Sequence, residues 1–523
     1  MPAPDAFRSD LLIPACSTAA MRAADETTIH GLGIPGFTLM ETAGREAARI
    51  AAALVPPPAR VLVCCGKGNN GGDGLVVARW LSEAGYQVDV RIVAPAETLS
   101  PDASAHLATL QRWPGATVEL HTDWHEPFTL PAADLIVDAL FGTGLNAALR
   151  DPFPALVHAI NRHPAPVLAL DVPSGLSADT GVAPAPCVRA DATVTMGALK
   201  SGLLLADGPE YAGTLHVADI GIPARLLRDR TTAEGSAWVS TDAWTGAQLR
   251  PRTRHDHKYT TGPTLVVGGS DDFPGAPVLA SRAAARVGSG YVVAVGPSGI
   301  RSNLLEKLDA IPVASWDPAG SQVAADLIAA LDTRWSKARA VLIGPGLGRS
   351  DASRQLVWDL LERAEAPVVL DADALLALAA ERERVAALSG GRWILTPHEG
   401  EAARLEDGLP VAPNRIERVR ALARAWNCVV LLKGQPSLTA APDGRAIINA
   451  SGHPAAATAG SGDVLAGIVG GLLAQGLEPF VAAAAGIHIG GTAAARFVER
   501  GPAQSLVASD LIDLLPSVLG SFS

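Results

Sequence analysis

Short apolar runs that stop abruptly at glycine, asparagine or aspartate punctuate the first 220 residues. R-V-L-V-C-C (Arg60 to Cys65), Val88 to Val93, Asp134 to Asp138 and Val167 to Asp171 are too short for helices and are bounded by turn residues, so they are predicted as strands. Longer segments between them carry helical spacing. Ser17 to His30 opens on a capping serine, and Phe37 to Val55 ends at Pro56-Pro57-Pro58. After the strand at Cys65 comes a Gly-rich turn, G-K-G-N-N-G-G-D-G (Gly66 to Gly74), and then a helix over V-V-A-R-W-L-S-E-A-G. Alternating strands and helices predict a largely parallel sheet, with ligands at the carboxyl ends of its strands. The second half repeats the alternation: strand T-L-V-V-G-G-S, a helix from Gly275 to Val287, strand Tyr291 to Val295, A-V-L-I ending at Gly344-Pro345-Gly346, and V-V-L-D ending at Asp371. Late in the chain V-L-A-G-I-V-G-G-L-L-A (Val464 to Ala474) predicts a buried helix.

A chain of 523 residues exceeds one ordinary core. Pro223, the charged run R-L-L-R-D-R and Gly235 put a boundary between about Ala224 and Gly235. No internal repeat relates the halves, so two different folds are expected. Residues are 48% hydrophobic and 18% charged, the balance of a globular protein, and the formal charge of −11 argues against a nucleic-acid partner. Five scattered cysteines (Cys16, Cys64, Cys65, Cys187, Cys428) lack metal spacing and point to reduced thiols in a cytoplasmic enzyme. The start M-P-A-P-D-A-F-R-S-D has no apolar leader core, and the 11-residue apolar run after Asp463 is too short to span a bilayer, so no membrane role is expected.

Three polar motifs fall at predicted strand ends in the first half: N-N-G-G-D (Asn69 to Asp73), D-A-L-F-G-T-G-L (Asp138 to Leu145) and L-D-V-P-S-G-L (Leu170 to Leu176). Taken singly, Asp138 and Asp171 read equally as loop caps and the glycines as turns. Together they resemble the NAD(P)HX epimerase family, the YjeF N-terminal domain, over roughly Ser17 to Pro223. That resemblance implies substrate contacts from Asn69, Asn70, Gly71, Gly72 and Asp73, from Gly142, Thr143, Gly144, Leu145, Asn146, Ala147 and Ala148, and from Asp171 as acid/base. It implies a potassium ion on Asn70, Asp138 and Ser174. Relatives often carry a basic residue where this chain has Asn146 to Ala148.

The second half gathers its chemistry in G-H-P-A-A-A-T-A-G-S-G-D-V-L-A-G (Gly452 to Gly467). Gly460 and Gly462 leave backbone N–H groups uncovered at a helix start, which suits an oxyanion or phosphate. Asp463 in the first turn is either a general base for a substrate hydroxyl or a plain helix cap. The run resembles the signature of the ADP- or ATP-dependent NAD(P)H-hydrate dehydratases of the ribokinase-like superfamily. Four stretches agree in order: G-P-G-L-G (Gly344 to Gly348), D-A-D-A-L (Asp371 to Leu375), T-P-H-E-G-E (Thr396 to Glu401) and L-K-G (Leu432 to Gly434). The resemblance implies substrate contacts at Ala276, Gly346, His398 and Asp463, and adenylate contacts at Lys433, Gly434, Gln435, Pro436, Ser437 and Gly462. By itself His398 reads also as a helix-capping or core histidine, and Lys433 as a surface lysine. Tyr259 and His453 depart from the family's glycine and asparagine.

The fold class expected is α/β in two domains, a Rossmann-like doubly wound sheet followed by a ribokinase-like α/β/α sandwich. The resemblances put an epimerase domain over 1–225, a linker over 226–235 and a dehydratase domain over 236–523. They imply a repair enzyme that epimerises NADHX and NADPHX and dehydrates the S epimer with ADP, or ATP, and Mg2+, as a homo-oligomer. The rival is a vitamin or sugar kinase of the ribokinase superfamily with an N-terminal nucleotide-binding module, which would release a phosphorylated product.

Overall fold

The computed structural model describes residues 7–113, 118–121, 124–126, 128–145, 147–184, 186–318, 323–331 and 333–522. The chain divides into two compact units, Ile13–Ala237 and a second formed by residues 238–522 with residues 7–12. Residues 224–235, where composition suggested a boundary, carry the helix Ala224–Arg228 and belong to the first unit.

The first unit holds a parallel sheet whose strands lie in the order Val118–His121, Gln87–Ile92, Arg60–Cys65, Leu135–Ala139, Val167–Leu170, Ala192–Met196, Thr214–Ala218. A short parallel pair, Ile13–Cys16 with Leu199–Lys200, joins Ala15 to Leu199. Every residue of Leu135–Ala139 and of Val167–Leu170 is buried, because helices cover both faces of a parallel sheet and leave no solvent face for alternation. The chain runs outward from Arg60–Cys65 through two strands and then returns to pair Val61 with Leu135. This reversal opens the crevice between the ends of those two strands.

The Gly-rich segment after Cys65 departs from expectation. N-N-G-G-D is not a turn but the first turn of the helix Asn69–Glu83. Its glycines are there for close packing. A Cβ on Gly71 would fall 1.9 Å from the Gly66 carbonyl oxygen, so any side chain would push the helix start off the strand end. The expected first helix does begin with Ser17 as cap, accepting from Ala20 N at 3.3 Å, but its last turn widens to π geometry at Thr27–Gly31.

In the second unit the strands run in the order Val313–Trp316, Tyr291–Pro297, Pro263–Val267, Ala340–Ile343, Val368–Leu370, Ile394–Leu395, Val429–Leu432, Ser437–Ala440, Ala446–Asn449, with Trp238 and Val239 pairing parallel to Ile447 and Ile448. Pairing is parallel as far as Val429–Leu432, and two antiparallel steps follow. The reversal of winding lies between Pro263–Val267 and Ala340–Ile343. The helix Ser461–Ala474 is buried from Val464 to Ala474 and lies on the helix Ala276–Arg286. Their backbones touch: a Cβ on Gly467 would stand 2.2 Å from the Ala280 carbonyl oxygen. Pro479–Val498 is long and apolar enough to cross a membrane by length and composition, yet 61% of its apolar window is buried and it is a core helix of this unit. All five cysteines are free and buried.

Candidate functional sites

In the first unit a cavity of about 920 Å3 opens at the winding reversal. Asn69, Asn70 and Asp73 reach it from the helix start, Gly142 to Leu145 from the loop after Leu135–Ala139, and Asp171 from the end of Val167–Leu170. Gly71 and Gly72 do not line it; they pack against Gly66 and Met40 instead. Ala147 and Ala148 are also outside the lining, and Asn146 lies outside the described residues.

Asp171 takes a left-handed backbone conformation (φ 64°), and its carboxylate is fully engaged. Oδ1 meets Lys200 Nζ at 2.5 Å and accepts from Met196 N at 3.3 Å, while Oδ2 accepts from Thr143 N at 3.1 Å. Lys200 is 2% exposed and also donates to the Met196 carbonyl at 2.6 Å. Lys200 and Asp25, which also line the cavity, were not singled out from sequence. The one available signal for Lys200 was a lone cation inside the otherwise apolar and small run V-T-M-G-A-L-K-S-G-L. Burial pushes Asp25 up to about 6 and holds Asp73 well above the usual carboxylate range.

Asp138 and Ser174 form a second, deeper group. The Asp138 carboxylate is wholly buried, accepting from Ser174 Oγ at 2.7 Å, Ser174 N at 2.8 Å and Leu140 N at 3.2 Å. Burial nevertheless pushes it up to about 6. Both polar atoms of the buried Asn70 carboxamide lack a hydrogen-bond partner among the described residues. A Cβ on Gly142 would be 2.8 Å from Asp171 Oδ2 and 3.4 Å from Asn70 Oδ1, so Asn70 and Asp171 flank the same loop. An unpartnered amide oxygen, a buried carboxylate and a hydroxyl are hard oxygen donors, and this set fits a monovalent cation.

In the second unit the polar residues collect at the carboxyl ends of neighbouring strands. Ala276 and Gly346 meet at the winding reversal; a Cβ on Gly346 would lie 2.9 Å from that of Ala276. Asp371 follows Val368–Leu370, accepting from Thr396 Oγ1 at 2.7 Å and Lys433 Nζ at 2.8 Å. Asp373 accepts from Gly348 N at 2.9 Å and from Arg349 Nε at 3.2 Å. Gly462 approaches Lys433, its Cβ position being 3.6 Å from Nζ. Burial opposes the Lys433 charge, but Asp371, Glu401 and Asp463 around it hold its pKa above the usual lysine value.

Asp463 sits in the first turn of Ser461–Ala474, behind Gly460 at φ 83°. The helix start receives no side-chain cap, and the Asp463 carboxylate makes no hydrogen bond or ion pair among the described residues. Burial, with Asp371 and Asp373 nearby and Lys433 opposing, pushes it up to about 7. A carboxylate with free lone pairs that titrates at neutrality is poised to take a proton.

His398 caps the helix Glu399–Leu405: Nδ1 accepts from Gly400 N at 3.0 Å, and Glu401 Oε2 accepts from His398 N at 2.9 Å. Its side chain remains 58% exposed, so capping leaves Nε2 beside Glu401 and open to a ligand. Lys433 to Ser437 form the turn between Val429–Leu432 and Ser437–Ala440, braced by Arg415 Nε to the Pro436 carbonyl at 3.2 Å and by Gly434 N to Ser437 Oγ at 3.2 Å. Asp371, Asp373 and Glu401 are the polar residues here that were visible only as parts of motifs.

Comparison with known proteins identifies the family of each unit. Residues 36–202 match the family described as YjeF-related protein N-terminus, and residues 264–517 match the NAD(P)H-hydrate dehydratase family. The bifunctional NAD(P)H-hydrate repair enzyme Nnr of Salinibacter ruber is 44% identical over 520 residues, covering 97% of this chain and 96% of its own length. The enzymes of the same name from Moorella thermoacetica and Escherichia coli are 41% and 34% identical, over 96% and 95% of this chain and 96% and 92% of theirs. An ADP/ATP-dependent NAD(P)H-hydrate dehydratase from Bacillus subtilis, co-crystallised with ATP/Mg2+, is 30% identical, covering 55% of this chain and 98% of that one, with a TM-score of 0.45. Matched along nearly its whole length, the chain belongs to the bifunctional NAD(P)H-hydrate repair enzymes, which join NAD(P)HX epimerisation to ADP/ATP-dependent dehydration.

Proposed function

We propose that the two sites divide the repair reaction as their carboxylates suggest, with Asp463 as the base of dehydration and Asp171 as the proton-handling group of epimerisation. The observation that carries this is the unpartnered Asp463 carboxylate, raised to about 7, at the uncovered N-terminus of a buried helix. In the second unit the hydrated dinucleotide lies over Ala276, Gly346 and His398, and the adenylate on Lys433 to Ser437 and Gly462. Asp463 takes the proton of the C6 hydroxyl as that oxygen attacks the terminal phosphoryl group of ADP. An oxygen–phosphorus bond forms, the bond to AMP breaks, and N–H groups of the Gly460 to Gly462 turn with Lys433 stabilise the phosphoryl oxygens. The C6–O bond then breaks with phosphate as leaving group, the ring nitrogen supplying its lone pair. Loss of the C5 proton to the departing phosphate completes NAD(P)H.

Among the described residues no group of three or more His, Cys, Asp or Glu forms a ready metal cage. Mg2+ is therefore read as arriving on the nucleotide's phosphates, where it offsets their charge. In the first unit, Asn70, Asp138 and Ser174 would hold K+, which supplies positive charge beneath the substrate loop. Asp171, held in place by Lys200, gives a proton to the C6 hydroxyl so that it leaves as water with the ring nitrogen's help, and takes a proton back as water re-adds on the other face. The enzyme is further read as cytoplasmic, homo-oligomeric and better served by ADP than by ATP. The test is recovery of nicotinamide absorbance from hydrated NADH and NADPH with ADP or ATP, with K+ present or replaced by Li+. Faster recovery with ATP reverses the nucleotide assignment, and K+-independent interconversion of the epimers removes the ion.

A further inference from the structure

Beside the dehydratase site lies a separate cavity of about 270 Å3 that none of these roles uses. Its wall contains three guanidinium groups, Arg349, Arg354 and Arg404, and a single carboxylate, Asp373. That carboxylate is already satisfied by Gly348 N and Arg349. Arg354 has only Asp351 at 3.6 Å, whose side chain is 98% exposed, and Arg404 makes no hydrogen bond or ion pair among the described residues. Asp373 offsets Arg349 and Arg354 has only an exposed carboxylate, so the wall keeps an excess of positive charge that an anion would offset.

We propose that this cavity binds a phosphate group of the hydrated dinucleotide, an assignment that rests on the placement of substrate in the second unit. Guanidinium forks match phosphate oxygens in pairs; the Ser350 and Ser353 hydroxyls on the same wall are taken up by each other at 2.9 Å and by the Leu347 carbonyl, so the arginines carry the recognition. The volume is below that of sites that enclose a whole drug-sized ligand, about 300–1,000 Å3, so it suits one phosphate and part of its sugar. Position assigns the phosphate to the hydrate rather than to the nucleotide. Gly348 and Arg349 follow the strand Ala340–Ile343, whereas the proposed adenylate segment follows Val429–Leu432, three strands away in the sheet. At about 4.8 Å per strand that is roughly 14 Å. Asp373 ties the cavity to the reacting centre, since it also acts on the charge of Asp463.

The double variant Arg354→Gln/Arg404→Gln of the full chain tests this, with dehydration followed on NADHX and on NADPHX at saturating ADP. Both side chains lie on the protein surface, and circular dichroism checks that the fold is kept. Loss of two charge-assisted contacts raises KM for the hydrate about ten- to a hundredfold, with kcat within a few-fold and KM for ADP unchanged. A rise for both hydrates assigns the pyrophosphate, and a rise for NADPHX alone assigns the 2′-phosphate; restoring lysine at both positions recovers part of the loss. Unchanged KM for both hydrates, a fall in kcat alone, or a rise confined to ADP overturns the proposal. None of those results bears on Asp463, whose role fails only if Asp463→Asn keeps its turnover.

Discussion

The two aspartates proposed to move protons, Asp171 in the first unit and Asp463 in the second, are held in opposite ways. Asp171 is held by a buried lysine and two backbone N–H groups, so its geometry is fixed. Asp463 has no such partner and is left near neutrality by burial and by two neighbouring acids. The difference fits the tasks. Epimerisation returns the substrate hydroxyl to the same carbon and needs an oriented group that gives a proton and takes it back. Phosphoryl transfer needs a base that takes a proton at the moment of attack and is not already committed to a cation.

The largest expected effect removes the free base. Asp463→Asn lowers dehydration about a hundred- to ten-thousand-fold while epimerisation, followed by chiral chromatography, stays within a few-fold. Near-normal turnover would return Asp463 to the role of a helix cap. Next comes Lys200→Met, which strands a buried carboxylate. Breaking a buried pair costs about 3–5 kcal/mol, so the first unit loses stability in thermal unfolding and epimerisation falls. Adding Asp171→Asn to that variant restores much of the stability and none of the activity. If activity returned with stability, Asp171 would be structural.

Two smaller effects sharpen the contrast through pH. A base raised to about 7 makes kcat/KM for dehydration climb with pH through neutrality and level above it. A pH profile flat from 5 to 9 would remove the base assignment. Stability moves the other way. The folded protein keeps the Asp463 proton to a higher pH than the unfolded chain does. Between the ordinary aspartate value and about 7 it therefore binds more protons, and this group's contribution to stability falls as pH rises. Asp463→Asn should consequently melt slightly higher than the parent at pH 8 and no higher at pH 4, whereas loss of a mere cap would lower the melting temperature at both.

Much of this was legible in the chain itself. Asp463 stood out because an 11-residue apolar run can bury only as a helix of this kind, and the small residues before it mark where that helix starts. The strand ends were legible because parallel strands buried on both faces are uninterrupted apolar runs. The N-N-G-G-D segment misled: two asparagines and two glycines are poor helix formers, and only the approach of Gly71 to the Gly66 carbonyl explains why the helix starts there. Lys200 was hidden for another reason. Its partner Asp171 lies on a different strand, and nothing local announces a contact closed by the return of the chain through Ala192–Met196.

The backbone contact between Gly467 and Ala280 bears on how accurately the second site is assembled. At Gly467 the helix that carries Asp463 and the helix that begins with Ala276 meet backbone to backbone, so at that point no side-chain rotamer cushions the contact. Relative to one another they behave as a machined joint whose tolerance is set by van der Waals radii. A single added methyl at position 467 would wedge that joint. A displacement of about 1 Å at reacting atoms costs about a hundredfold in rate, so if Asp463 is the base, the fit at Gly467 one helical turn away sets how well it can be aligned.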